Sequence, residues 1–184
     1  MKNRMIFSGF GGQGALSAGK TLAEVALQED KNVTWLPTYG SERRGGVAYC
    51  RVFLSDTSST SPVFEDLDAL IALDSASVDR FKDCVIPGGI LLYNSSLTEK
   101  EPDCPGVQVQ AVPCNELAAS VNNPGGANFI ALGSYLAMNE CVSVEAVVDH
   151  IDHMFTGRKA VYAEMNRKAV LAGYDYIRKQ NGVV

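Results

Sequence analysis

The chain has 184 residues, 46% of them hydrophobic and 20% charged, with a formal net charge of −5. That length buries a full core and fits one domain over residues 1–184, the composition excludes a disordered chain, and an acidic balance without any Lys/Arg block argues against a nucleic-acid surface. No apolar run is long enough to span a bilayer and no signal-like stretch follows Lys2 and Arg4, so a cytoplasmic protein with no membrane contact is expected.

In chain order, Arg4 to Ser8 reads as a short apolar strand. It runs into Gly9-Phe10-Gly11-Gly12-Gln13-Gly14, a loop with four glycines in six positions. Leu16, Leu22, Ala23, Ala26 and Leu27 then recur at helical spacing. A strand near Asn32–Leu36 is followed by a loop from Pro37 to Gly46, and Val47–Leu54 is β-rich. Asp68–Leu73 has the character of a buried strand, and Ser75–Lys82 of a helix. Pro87-Gly88-Gly89 predicts a turn into the strand Ile90–Tyr93. A further strand is expected at Val107–Val112 and a short helix at Glu116–Val121. After the turn Asn122–Gly126, helices are expected over 128–138, 144–153 and 158–179. Strands interleaved with helices imply an α/β fold: a three-layer α/β/α sandwich, Rossmann-like, with a mostly parallel or mixed central sheet. The strand near 47–54 is where antiparallel pairing would enter.

The first glycine loop is the leading functional candidate. Glycines admit positive φ and let another molecule approach the backbone, and the free N–H groups at a helix start favour a phosphate. The spacing Gly9-x-Gly11-x-x-Gly14 also fits the dinucleotide fingerprint. That fingerprint wants an acid at the end of the second strand, where Pro37-Thr38-Tyr39 stand instead. Residues 14–21 spell a nucleotide-hydrolase phosphate loop, with Lys20-Thr21 at its end and Asp74 as a possible magnesium acid. Such a loop must lie between strand and helix, a place already taken by residues 9–14, so Lys20 is expected on a helix surface.

The loop at 37–46 is the second candidate. Tyr39, Glu42, Arg43 and Arg44 cluster between Gly40 and Gly45-Gly46. Two adjacent arginines can receive a phosphate or a partner's carboxylate in fork geometry; a solvated turn with Glu42 paired to one arginine is the plainer alternative. Both loops follow strands, and ligands of open α/β sheets collect at strand carboxyl ends.

The other metal- and redox-capable residues read as structural. Cys50, Cys84, Cys104, Cys114 and Cys141 contain no C-x-x-C clip, so reduced cysteines in or near the core are expected and no cluster of the chain's own. His150 and His153 are three apart and could share a helix face, but the sequence contains only these two histidines and the neighbouring apolar residues suit an ordinary amphipathic helix.

Taken together, Gly9–Gly14, Ala18-Gly19, Leu22-Ala23-Glu24 and Tyr39-Gly-Ser-Glu-Arg-Arg-Gly-Gly46 resemble the gamma subunit of 2-oxoacid:ferredoxin oxidoreductases. Ser55-Asp56, Ser61-Pro62, Asp68–Ala72, Pro87-Gly-Gly89, Tyr93-Asn94-Ser95, Asn128 and Leu132-Gly133 extend the likeness over residues 4–180. The resemblance implies a non-autonomous subunit, inactive alone. The enzyme would oxidatively decarboxylate a 2-oxoacid to an acyl-coenzyme A while reducing ferredoxin or flavodoxin. Thiamine diphosphate and iron–sulfur clusters would sit in alpha-, beta- and delta-type partner subunits, and this chain would hold no catalytic residue or metal. It further implies coenzyme A contacts from Gly9, Gly11, Gly12, Gln13, Gly14, Tyr39, Glu42, Arg43, Arg44 and Asn128. The spelling of residues 39–46 is most like the 2-oxoglutarate type, with branched-chain and pyruvate types close. A homodimer of the isolated subunit is a further expectation. The competing readings are a nucleotide-binding protein and a purely structural interaction subunit.

Overall fold

The computed structural model describes residues 2–39, 46–57, 64–157 and 160–182. Its strands are β1 Lys2–Phe10, β2 Asn32–Thr38, β3 Val47–Ser55, β4 Leu67–Ala72, β5 Val85–Asn94 and β6 Gln108–Val112. Its helices are α1 Ala15–Gln28, α2 Ser75–Phe81, α3 Cys114–Ser120, α4 Ala127–Met138, α5 Val144–Met154 and α6 Ala160–Gln180, with a 3-10 turn at Lys82–Cys84. One sheet runs in the order β2-β3-β1-β4-β5-β6. β1, β4, β5 and β6 pair in parallel, and β3 pairs antiparallel with both β1 and β2. The expected α/β sandwich is therefore present with a mixed sheet.

Side-chain alternation divides the core between two faces of unequal cover. Met5, Phe7, Cys50, Val52, Ala69, Ile71 and Leu92 point to the face packed by α1, α3, α4, α5 and α6. Ile6, Tyr49, Leu70, Leu91 and Tyr93 point to the opposite face, where Val78 and Phe81 of α2 cover them. Gly19 lets α1 lie close on β3, since a Cβ there would be 2.4 Å from Cys50 Sγ.

β1 runs on through Gly9 and Phe10, expected in the loop, and α3 starts at Cys114 rather than Glu116; the largest difference is in β5. Pro87-Gly88-Gly89, expected as a turn before a strand, lies inside β5. The chain bulges there: Leu67 pairs with Val85 but Ala69 pairs with Ile90. Gly88 takes φ +82° and its N–H donates to Gly106 O at 2.7 Å. A left-handed glycine absorbs the extra residues, so the strand resumes instead of ending. The expected start of the last helix at Arg158 falls outside the described residues, and α6 runs from Ala160.

The two histidines separate. His150 is buried between α1 and α5, its ring nitrogens 3.2 Å from Gln28 Nε2 and 3.2 Å from Glu24 Oε2, while His153 is exposed. Among the described residues no group of three His, Cys, Asp or Glu side chains is placed to hold a metal, and no helix is long and apolar enough to cross a membrane.

All five cysteines are free thiols, with Cys50, Cys114 and Cys141 buried. Burial pushes the Cys50 thiol up to about 12 and the Cys141 thiol up to about 11, and raises Cys114 also. Raised thiol pKa values keep protons on the folded state that the unfolded chain gives up, so folding stability is full below about pH 9 and is lost as pH rises beyond it. The expected loss is about 1.4 kcal/mol per buried thiol per pH unit just above that threshold. Urea titrations at pH 8 and pH 10 check this. Equal midpoints would contradict it, as would labelling of Cys50 or Cys141 by iodoacetamide in the native chain at pH 8.

Candidate functional site

The glycine loop joins β1 to α1 at the carboxyl edge of the parallel strands. It is a tight turn held from three sides. Gln13 N–H donates to Phe10 O at 3.0 Å, and the Gln13 side chain folds back so that its Oε1 accepts from Phe10 N at 2.7 Å. Asp74, directly after β4 and 2% exposed, accepts from Phe10 N through Oδ2 at 2.8 Å. Its Oδ1 accepts from Ser77 N at 2.8 Å and caps α2. Asn128, at the start of α4, donates from Nδ2 to Gly14 O at 3.1 Å.

The glycines do different jobs. A Cβ on Gly9 would meet Gln13 Oε1 at 2.6 Å, and one on Gly14 would meet Asn128 Nδ2 at 2.6 Å, so these two exist for internal closeness. Gly14 also takes φ +79° as the residue before α1, with no side chain capping the helix. Gly11 and Gly12 are exposed, with nothing within 4 Å of a Cβ at either. Gly12 at φ +101° turns the chain. Among the described residues no acceptor meets the Gly11 or Gly12 amide. The loop thus presents unfilled N–H groups beside an uncapped helix start, the arrangement that receives an anion.

A cleft of about 210 Å³ opens next to the loop, with Gly12 and Gln13 on one side, Leu73 and Asn94 at strand ends, and Asn115 opposite. Asn94 is buried and closes this floor: its Nδ2 donates to Leu73 O at 3.2 Å and to Asn115 Oδ1 at 3.0 Å, and its Oδ1 accepts from Cys114 N at 3.1 Å.

The second candidate loop departs from the same edge. Val47 pairs with Phe10 and Thr38 with Tyr49, so the described ends of the loop flank the glycine turn. Tyr39 is 72% exposed. Glu42, Arg43 and Arg44 lie outside the described residues. The structure therefore brings Gly9, Gly11, Gly12, Gln13, Gly14 and Asn128 together, with Asn128 spent on holding Gly14.

Two anchoring groups escaped sequence reasoning. Asp74 figured only as a possible magnesium acid, yet both its carboxylate oxygens are spent on backbone N–H groups. The local signal was an acid three residues before Ser77 at the end of an apolar strand, an N-cap pattern. Asn94 and its partner Asn115 are 21 residues apart, and no local pattern links them. Lys20 sits in α1, 3.4 Å from Glu24, and buried Thr21 donates to Met154 Sδ at 3.5 Å, so the phosphate-loop spelling has no phosphate-loop geometry.

A family model described as pyruvate ferredoxin/flavodoxin oxidoreductase matches residues 4–176. The chain belongs to that family. Within the pyruvate ferredoxin/flavodoxin oxidoreductase family, it is 35% identical to ketoisovalerate oxidoreductase subunit VorA of Methanothermobacter thermautotrophicus, over 96% of this chain and 36% of that one. It is 30% identical to 2-oxoglutarate synthase subunit KorC of Methanocaldococcus jannaschii, over 97% of this chain and 96% of that one. The chain thus spans about a third of the first relative and nearly all of the second. The crystal structure of a keto/oxoacid ferredoxin oxidoreductase gamma subunit from Geobacter sulfurreducens superposes with a TM-score of 0.83 at 31% identity, covering 96% of this chain and 99% of that one. A 2-oxoglutarate:ferredoxin oxidoreductase from Magnetococcus marinus, solved with 2-oxoglutarate, coenzyme A and succinyl-CoA bound, shares the fold, with a TM-score of 0.82 at 20% identity over 95% of this chain and 31% of that one. The gamma-subunit resemblance carried by the motifs is borne out.

Proposed function

We propose that this chain is the gamma-type module of a 2-oxoacid:acceptor oxidoreductase and that its glycine loop, together with residues Tyr39, Glu42, Arg43 and Arg44, receives the phosphate-bearing end of coenzyme A. The observation that carries this reading is the pair Gly11-Gly12, exposed at the carboxyl edge of β1, with open space over both Cβ positions and amides that meet no acceptor among the described residues. Asp74, Gln13 and Asn128 hold the turn so that these amides are fixed before any ligand arrives, which lowers the ordering cost of binding.

Thiamine diphosphate and iron–sulfur clusters belong, on this reading, to alpha-, beta- and delta-type subunits. The buried thiols described here are too sheltered to ligate a cluster without unfolding. The chain then contributes positioning and no catalytic group, in a cytoplasmic hetero-oligomer whose acceptor is ferredoxin or flavodoxin. The relatives carry the names ketoisovalerate oxidoreductase and 2-oxoglutarate synthase. The Tyr39–Gly46 spelling favours 2-oxoglutarate as the first substrate to test.

The test is Arg43→Ala with Arg44→Ala in the co-expressed, anaerobically purified enzyme. The expected result is a coenzyme A KM raised roughly tenfold or more with the 2-oxoacid KM unchanged, since each charge-assisted contact to phosphate is worth about 1.5–3 kcal/mol. An unchanged coenzyme A KM in the assembled enzyme overturns the assignment.

A further inference from the structure

On the sheet face opposite the large helical layer, two arginines converge on one aromatic ring. The Arg51 guanidinium carbon lies 5.3 Å from the centroid of the Tyr49 ring, and that of Arg80, from α2, lies 5.1 Å from it. Arg80 is also 5.2 Å from the Phe81 ring. Phe81 packs edge-on against Tyr49 with centroids 4.9 Å apart, so the ring is fixed as a floor. The site forms where the short α2 stops covering the sheet: Tyr49 and Arg51 come from β3, and Arg80 reaches back over them.

No carboxylate among the described residues pairs with either charge. Arg4 pairs with Asp68 at 2.9 Å and Arg167 with Asp152 at 3.2 Å. Among the described residues, neither Arg51 nor Arg80 takes part in an ion pair. Arg51 is half-buried, and its Nε–H is shielded from water with no acceptor among the described residues. A sheltered cation without an anion is unfavourable, and two on one ring repel each other. The neighbouring phenol registers this field. Burial raises the Tyr49 pKa, yet hydrogen bonding from Thr38 and Arg51 and the charges of Arg51 and Arg80 bring it below its ordinary value.

We propose that Arg51 and Arg80, seated on Tyr49, form a binding site for a phosphate monoester dianion. Two fixed positive charges match two negative ones, whereas a single carboxylate from a partner protein would leave one arginine unmatched. Guanidinium forks also fit phosphate oxygens in geometry. The site stands apart from Gly11 and Gly12, which lie beyond the end of β1, but Thr38 beside Tyr49 leads straight into the 39–46 segment. The phosphate can be carried by coenzyme A, which rests on the function proposed above, or be free phosphate, which does not.

Calorimetric titration of the full chain with inorganic phosphate, coenzyme A and dephospho-coenzyme A tests this. The variants are Arg51→Gln and Arg80→Gln, with Lys168→Gln on α6 as a control. Saturable phosphate binding, weakened roughly tenfold or more in each arginine variant and unchanged in the control, is the expected result. If the arginine variants weaken coenzyme A but not dephospho-coenzyme A, the coenzyme's monoester is the carrier. If they weaken inorganic phosphate alone, the site takes free phosphate, and the coenzyme reading of the glycine loop is left to its own test. Alkaline titration of the phenol, assigned by subtraction of Tyr49→Phe, adds a readout of position: bound phosphate should raise the Tyr49 pKa by offsetting the arginines. Arg80 is exposed, so its variant and the phenol titration decide the matter even if Arg51→Gln does not fold. Absence of saturable phosphate binding in the wild type, or equal affinity in Arg80→Gln, overturns the proposal.

Discussion

Replacing Gly133 by alanine will destabilise the domain by about 3 kcal/mol, against the usual gain of about 1 kcal/mol for the same change inside a helix. The sign is decided by where α4 crosses α6. A Cβ on Gly133 would lie 1.9 Å from Val170 O, and one on Gly173 would lie 2.0 Å from Ile130 O. Each glycine faces the other helix's backbone, which cannot rotate away as a side chain could. Ser134 ties the crossing by donating to Gly173 O at 3.1 Å. Admitting the methyl means parting the helices and loosening Ile130, Tyr135, Val170 and Ile177, all buried. For a chain of 184 residues that corresponds to a Tm lower by about 6–12 °C. Gly11→Ala is the internal control, because a methyl there meets nothing within 4 Å and should leave Tm nearly unchanged. Thermal melts of the three proteins check this; a Gly133→Ala chain that melts at or above the wild-type temperature would show that the crossing is slack.

The same crossing marks where sequence reading stops. Both helices were expected from the sequence, α4 buried almost all round and α6 along one stripe, but nothing local pairs Gly133 with Val170 across 36 intervening positions. Strand positions were legible for the parallel half, where Leu70, Ile71, Leu91 and Leu92 are buried on both faces and read as unbroken apolar runs. The β5 bulge was not, because Pro87-Gly88-Gly89 has the composition of a turn whether the strand ends there or merely detours. At the site, the glycine turn was legible from spacing, since Gly12 and Gly14 do adopt the positive φ that their residue type suggests. Its supports were less so. Asp74 lies 64 residues from the Phe10 amide it holds, and Asn128 lies 114 from the Gly14 carbonyl. Those partners become visible only when the sheet order places β4 beside β1 and α4 across the loop.

Asp74→Ala will loosen the glycine turn and lower stability by about 2–3 kcal/mol. One part is the cap: Ser77 N–H loses its acceptor at the start of α2. The other is the half-buried tie to Phe10 N–H, which then keeps only Gln13 Oε1. Asp74→Asn retains one carbonyl acceptor and should lose about half as much. Hydrogen exchange separates the two parts, since the Phe10 amide should lose protection in Asp74→Ala while amides of α6, remote from the turn, keep theirs after correction for global stability. The effect should reach function by the same route. A turn no longer fixed must be ordered on binding, so the coenzyme A KM of the assembled enzyme rises while the 2-oxoacid KM stays constant. Magnesium supplies the contrast. If Asp74 were a metal acid of a phosphate loop, added Mg²⁺ with ATP would stabilise the wild type and not Asp74→Asn. With both oxygens already accepting from backbone N–H groups, neither protein should shift in Tm. A wild-type Tm that climbs with Mg²⁺ and ATP, or a Phe10 amide still protected in Asp74→Ala, would show that this carboxylate is not the strut that holds the loop.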